Sequence, residues 1–180
     1  MSELSRRLTP LELEKAQGQL VRDIEVFAAG TIAAATPPPT PASLIERAWA
    51  LETYTDWLRW GPSGMSLTGE QIALHAEAAA DYLRTAGWSP SFKAGRGIRD
   101  ALTRAQNTDA EHRFSGDTRT ALDWIFELLI RALTGAPRAN YNDWDQHPAR
   151  RVEEVFGLLA AAAAFARTYG DPAPATAEAA

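Results

Sequence analysis

Residues that start helices and residues that stop them alternate along this chain, and that punctuation restricts its fold more than any other feature. Thr9-Pro10-Leu11-Glu12, Thr40-Pro41 and Thr68-Gly69-Glu70-Gln71 each place a hydroxyl where it can accept from the unpaired amides of a first helical turn. Proline in that turn, or an acid or amide three residues on, completes the start signal. Gly61-Pro62, Gly87, Gly135 and Gly170 fall where such segments end. Between these marks apolar side chains recur three and four residues apart: Ile72, Ala76, Ala79, Leu83; then Ile98, Ala101, Leu102, Ala105; then Leu122, Ile125, Phe126, Leu129, Leu133; and Val152, Val155, Phe156, Leu159, Phe165. That period belongs to a helix buried along one side, and no stretch alternates as a strand does. The expected fold is all-α, a compact bundle of about six helices with no sheet.

With 180 residues, 46% of them apolar types, the chain can bury one core. Residues 1–36 predict an N-terminal amphipathic helix with Leu13, Leu20, Ile24 and Phe27 on one stripe. The proline run at 37–41 cannot be helical and reads as a stiff linker. Residues 42–170 make the bundle domain, and the Ala/Pro tail at 171–180 has nothing to bury and is expected to be disordered. Within the bundle a helix over residues 42–60 would carry Trp49, Trp57 and Trp60; apolar groups that far round a helix mean a central position or a partner. Asp117 is the expected cap of the Leu122 helix, and Pro148 the start of the last one. The alanines at 160–164 read as close helix packing.

The chain has 18 basic and 23 acidic residues and a formal charge of −5, which disfavours nucleic acid as a partner of the whole surface. The absence of cysteine removes disulfides, thiolate metal sites and cysteine nucleophiles. No apolar run reaches the roughly 20 residues that a membrane span needs, so a cytoplasmic soluble protein is expected. Ser63, Ser66, Ser89, Ser91 and Ser115 lie in turns, none within a Gly-x-Ser-x-Gly elbow. His75, Glu77 and Asp81 lack the spacing of helical metal ligands and read as a solvated acidic face. Glu111-His112 reads as polar loop. No catalytic residue, cofactor or metal is assigned.

Candidate binding residues fall in three places. The connector Tyr141-Asn142-Asp143-Trp144-Asp145-Gln146-His147-Pro148 crowds polar and aromatic groups between two apolar helices. Asn142, Asp143, Asp145 and His147 could bind a ligand beside a stacking Trp144, or supply a general base. The same groups also suit a turn and a helix cap, with Tyr141 and Trp144 plugging the bundle end. Second, Gly95-Arg96-Gly97 before a helix could offer amides, Arg96 and Arg99 to an anion. Lys93, Arg96, Arg99, Arg104, Arg113 and Arg119 make residues 93–119 basic enough for weak DNA binding, although Asp100 and Asp109 interrupt them. Third, six tryptophans are more than a small bundle hides, which points to an aromatic surface at Trp49, Trp57 and Trp60.

Tyr82-Leu83-Arg84-Thr85-Ala86-Gly87-Trp88, the Gly95-Arg96-Gly97 turn, Tyr141-Asn142-Asp143 and Arg150-Arg151-Val152-Glu153-Glu154-Val155 resemble, in order and spacing, an uncharacterised family of small helical proteins from actinobacteria and their phages. The resemblance spans about residues 70–168 and implies a fold and a shared turn, not an activity. The chain departs from that family where relatives carry a cysteine after the Gly/Arg turn, and in the added Trp144-Asp145-Gln146-His147. Three functions stay open. The first is a non-enzymatic interaction or accessory protein that binds a protein partner or self-associates as a homodimer. The others are a small-molecule or metal-binding protein or small enzyme using residues 141–147, and a weak DNA binder using residues 93–119.

Overall fold

The computed structural model describes residues 40–111 and 113–172. The expected helix at 1–36, the prolines before Thr40, most of the 171–180 tail and His112 lie outside the described residues. Among the described residues six α-helices follow one another: α1 (Pro41–Trp49), α2 (Gly69–Ala86), α3 (Ile98–Thr108), α4 (Gly116–Thr134), α5 (Tyr141–Asp145) and α6 (Val152–Tyr169). Short 3-10 turns stand at Asp56–Leu58 and Phe92–Ala94. Among the described residues there is no strand, only an isolated antiparallel bridge between Trp60 and Ser66. The chain is all-α, as its apolar period predicts.

The caps explain most boundaries. At α1, Thr40 Oγ1 accepts the Ser43 N–H at 3.3 Å. At α2, Gln71 N–H donates to Thr68 Oγ1 at 3.2 Å while Thr68 N–H donates to Gln71 Oε1 at 3.1 Å, closing the predicted capping box. Gly135 ends α4 in the left-handed region at φ 72°, a conformation in which other residues are strained.

Three boundaries differ from expectation. Ser115, not Asp117, caps α4, with its Oγ accepting the N–H groups of Asp117 and Thr118 at 3.2 and 3.3 Å. The last helix begins at Val152, not Pro148, because Glu154 takes the Arg151 N–H at 2.8 Å and fixes the first turn there. The helix expected over 42–60 stops at Trp49. Glu52 Oε1 accepts the amides of Thr53 and Tyr54 at 2.8 and 3.0 Å, which draws them out of the helical ladder, and the β-branched Thr53 and Thr55 do not oppose the break. Trp49, Trp57 and Trp60 therefore do not share a helix.

Packing centres on α2, whose most extensive contact is with α6; α2 with α3 and α1 with α4 come next. Ala73, Ala76, Ala79 and Ala80 of α2 and Ala161, Ala162 and Ala163 of α6 are buried, and side chains this small let the two helices approach closely. At one end of the pair a Cβ on Gly69 would strike the Ala166 carbonyl, and Gly69 N–H donates to Asp171 O at 2.8 Å. On the outside Arg167 binds Glu70 (Nε to Oε2, 2.7 Å) and Glu77, and Arg84 pairs with Asp81, so each acid of the predicted acidic face has a cation. His75, expected on that face, is instead fully buried. The interior holds Leu83, Ile98, Leu102, Leu122, Ile125, Phe126, Leu129, Leu159 and Phe165, all within the predicted stripes. Leu133, predicted inward, is 47% exposed in the last turn of α4.

Candidate functional site

The connector opens with a short helix, Tyr141–Asp145, and turns only after it. Asn140 caps it, its Oδ1 accepting the amides of Asn142 and Asp143 at 2.9 and 3.4 Å. The residue types of this segment then diverge in space. Asp143 and His147 are exposed, while Tyr141, Trp144 and Asp145 are buried. Arg150 lies over the Trp144 ring at 3.7 Å and pairs with Glu154 at 3.0 Å. His147 Nδ1 accepts the Ala149 N–H at 3.3 Å. Among the described residues no three His, Asp or Glu side chains converge as ligands of one metal would.

Asp145 links three parts of the fold. Its Oδ1 accepts the Trp88 indole N–H at 2.7 Å and its Oδ2 accepts the Ile98 N–H at 2.8 Å. A Cβ on Gly97 would lie 2.6 Å from that Oδ2, so the glycine makes the approach possible. Burial raises the Asp145 pKa, against the lowering effect of these two donors. The anion site expected at the start of α3 is thereby filled from within: Asp145 holds Ile98 N–H and Asp100 holds Gly97 N–H at 3.2 Å. Arg96 turns away to donate to the Ala86 carbonyl at 3.1 Å, and Arg99 is left exposed. Of the other basic candidates, Arg113 pairs with Asp109 and Arg119 donates to Thr103 at 3.4 Å.

His75 is a core residue with both nitrogens occupied. A carbonyl can only accept, so Nε2 carries the proton to Leu102 O at 3.0 Å and Nδ1 accepts from the Thr118 hydroxyl at 2.9 Å. Its ring stacks on Phe114 at 4.7 Å. Burial pushes its pKa below the ordinary 6.5, the bond to Leu102 opposes this, and Arg119 adds to it. Nearby on α4, burial raises the pKa of Asp123, whose Oδ1 has no partner among the described residues.

Three clefts among the described residues are wide enough to hold a ligand. One, about 440 Å³, runs between α2 and α3, and its charged residues Asp81, Asp109 and Arg113 are all paired within the protein. Another, about 340 Å³, lies between α2 and α6, where Glu77, Arg84 and Arg167 are likewise paired. The third, about 380 Å³, is of a different kind. Tyr54, Trp57, Trp60 and Trp124 line it with Asp56, Gly61, Pro62, Thr120 and Ala121. Trp57 and Trp124 stack with centroids 5.9 Å apart at 21°, and the Trp57 indole N–H is held by Tyr54 O at 2.9 Å. Tyr54, Trp60 and Trp124 are 64%, 57% and 47% exposed. The indole N–H groups of Trp60 and Trp124 and the Asp56 carboxylate have no partner among the described residues.

This cleft is built from turns locked onto α4. The bridge at Trp60 and Ser66 and the Gly61 N–H to Met65 O bond at 2.9 Å close the Gly61-Pro62-Ser63-Gly64 turn. Asp117 pins that turn through the Ser63 N–H at 3.2 Å and the Ser63 hydroxyl. Any Cβ on Gly61 would collide with the Asp117 carboxyl, so glycine is required there. Of the tryptophans expected to meet a partner, Trp49 lies half-buried against the core, stacked on Tyr169 at 4.3 Å, and takes no part in this cleft. Trp57 and Trp60 belong to the cleft through separate segments. Tyr54, Asp56 and Trp124 were not legible as a site. One signal was present: Trp124 sits on α4 opposite Leu122, Ile125, Phe126 and Leu129, on the side of Thr120 and Glu127.

No helix among the described residues is long and apolar enough to cross a membrane. The model of a family of unknown function (DUF6197) matches residues 67–165. No curated protein and no solved structure matches the chain.

Proposed function

The chain belongs to the family of unknown function DUF6197, and from that premise we propose that it is a non-enzymatic interaction or accessory protein whose contact surface is the aromatic cleft of Tyr54, Trp57, Trp60 and Trp124. One observation supports this reading above the others: large rings stand exposed together beside hydrogen-bonding groups that have no partner among the described residues. Tryptophan and tyrosine are the residues that anchor protein interfaces, because they bury much area while freezing few torsions. The charged groups of the other two clefts are already paired, and Tyr141, Trp144 and Asp145 are buried in the bundle, so these places offer less unused chemistry. The Tyr82 to Trp88 helix end and the Tyr141-Asn142-Asp143 turn support an actinobacterial or phage setting, and the protein is read as cytoplasmic. Its partner is another protein or a second copy of the chain.

Photo-crosslinking tests the proposal. A benzoylphenylalanine at position 60, with the same group at the more exposed position 92 as control, is irradiated in cells that make the protein. Discrete adducts at position 60 alone are expected, and adducts at neither position, or at both alike, contradict the reading.

A further inference from the structure

Resting on that reading, we infer that the aromatic cleft takes an extended, proline-rich segment of a partner protein that carries a lysine or arginine. Trp57 and Trp124 cover each other, centroids 5.9 Å apart, which leaves no slot between them for a cation, while Trp60 and Tyr54, both exposed, add aromatic surface to the same cleft. A polyproline II helix is preformed, loses little entropy on docking, and sets its proline rings against ribs of this kind. Its backbone carbonyls make no internal hydrogen bonds and look for donors. The indole N–H groups of Trp60 and Trp124 are such donors, since neither has a partner among the described residues. A quaternary ammonium group has no acceptor to offer them. Charge selects further: Asp56 lines the cleft, no basic residue does, and no described cation pairs with its carboxylate. A basic residue beside the prolines complements it.

The full chain is titrated with a synthetic polyproline peptide bearing one arginine, followed by tryptophan emission. Saturable binding is expected, weakened about tenfold or more by Trp60→Ala. Asp56→Asn should weaken the arginine peptide several-fold and leave its alanine counterpart unchanged, with the circular dichroism of both variants like that of the native chain. No saturable binding, or binding that Trp60→Ala leaves intact, overturns the inference. Choline bound more tightly than the peptide also overturns it, and leaves the cleft a contact site for a different chemistry. Adducts at position 60 without peptide binding remove only the proline-rich partner; absence of both removes the contact surface itself.

Discussion

Asp145 shows how a residue with chemical potential is held for structure. Both its oxygens bind buried donors, one on the Trp88 ring and one at the start of α3, so the Tyr82 to Trp88 helix end, the Gly95-Arg96-Gly97 turn and the Tyr141-Asn142-Asp143 segment meet at one carboxylate. Asp145→Ala leaves two donors unpaired and should cost about 2–4 kcal/mol, lowering the melting temperature by roughly 10 °C in a thermal scan. Asp143→Ala, on the exposed side of the same short helix, should change it little. His75 gives the chain a dependence on pH. Its folded pKa lies below the unfolded 6.5, so the unfolded chain takes the proton first as pH falls. The stability it contributes is complete above 6.5 and is lost as pH drops from there toward the folded value. Melting temperatures measured between about pH 7 and pH 5 should fall for the native chain, and His75→Gln should flatten that part of the curve.

At the scale of elements, legibility followed how local the deciding contact was. The α2 start was readable because Thr68 and Gln71 cap each other within one turn, and the stops at Gly87 and Gly135 were readable because each takes a positive φ that glycine allows. The break after Trp49 was not, because Glu52 acts by taking two amides that an unbroken helix would also accept, and only the geometry shows which it does. Ser115 outcompeted Asp117 as a cap because Asp117 had a tertiary partner in Ser63, fifty-four residues earlier in the chain. The buried His75 was hidden for the same reason, its two partners lying on α3 and α4. The alanine contact of α2 and α6 was legible from composition and yields a sharp expectation. Ala162→Leu, at a fully buried position of α6 that lines none of the three clefts, should destabilise the chain by about 1–3 kcal/mol in denaturant unfolding, since a closely packed interior has no room for added methylenes. Arg167→Gln, outside the same pair and half exposed, should cost less than about 1 kcal/mol.

Across the whole molecule the six tryptophans divide by use. Trp49, Trp88 and Trp144 are tied inward, by a stack on Tyr169, by the Asp145 carboxylate and by burial under Arg150. Trp57, Trp60 and Trp124 gather with Tyr54 on one cleft, although they come from a 3-10 turn, a bridge and the outer side of α4. The sequence announced an excess of tryptophan without saying which would meet, because the cleft is assembled by the Gly61 turn and Asp117, contacts far apart along the chain. Where Phe165→Ala in the core should cost about 3–5 kcal/mol, a ring displayed for a partner should cost almost nothing to remove. Calorimetric unfolding of Trp60→Ser beside the native chain tests this most directly. A stability within about 1 kcal/mol of native is expected. A loss of several kcal/mol, as a core tryptophan gives, would show that Trp60 is part of the fold and that no contact surface is displayed there.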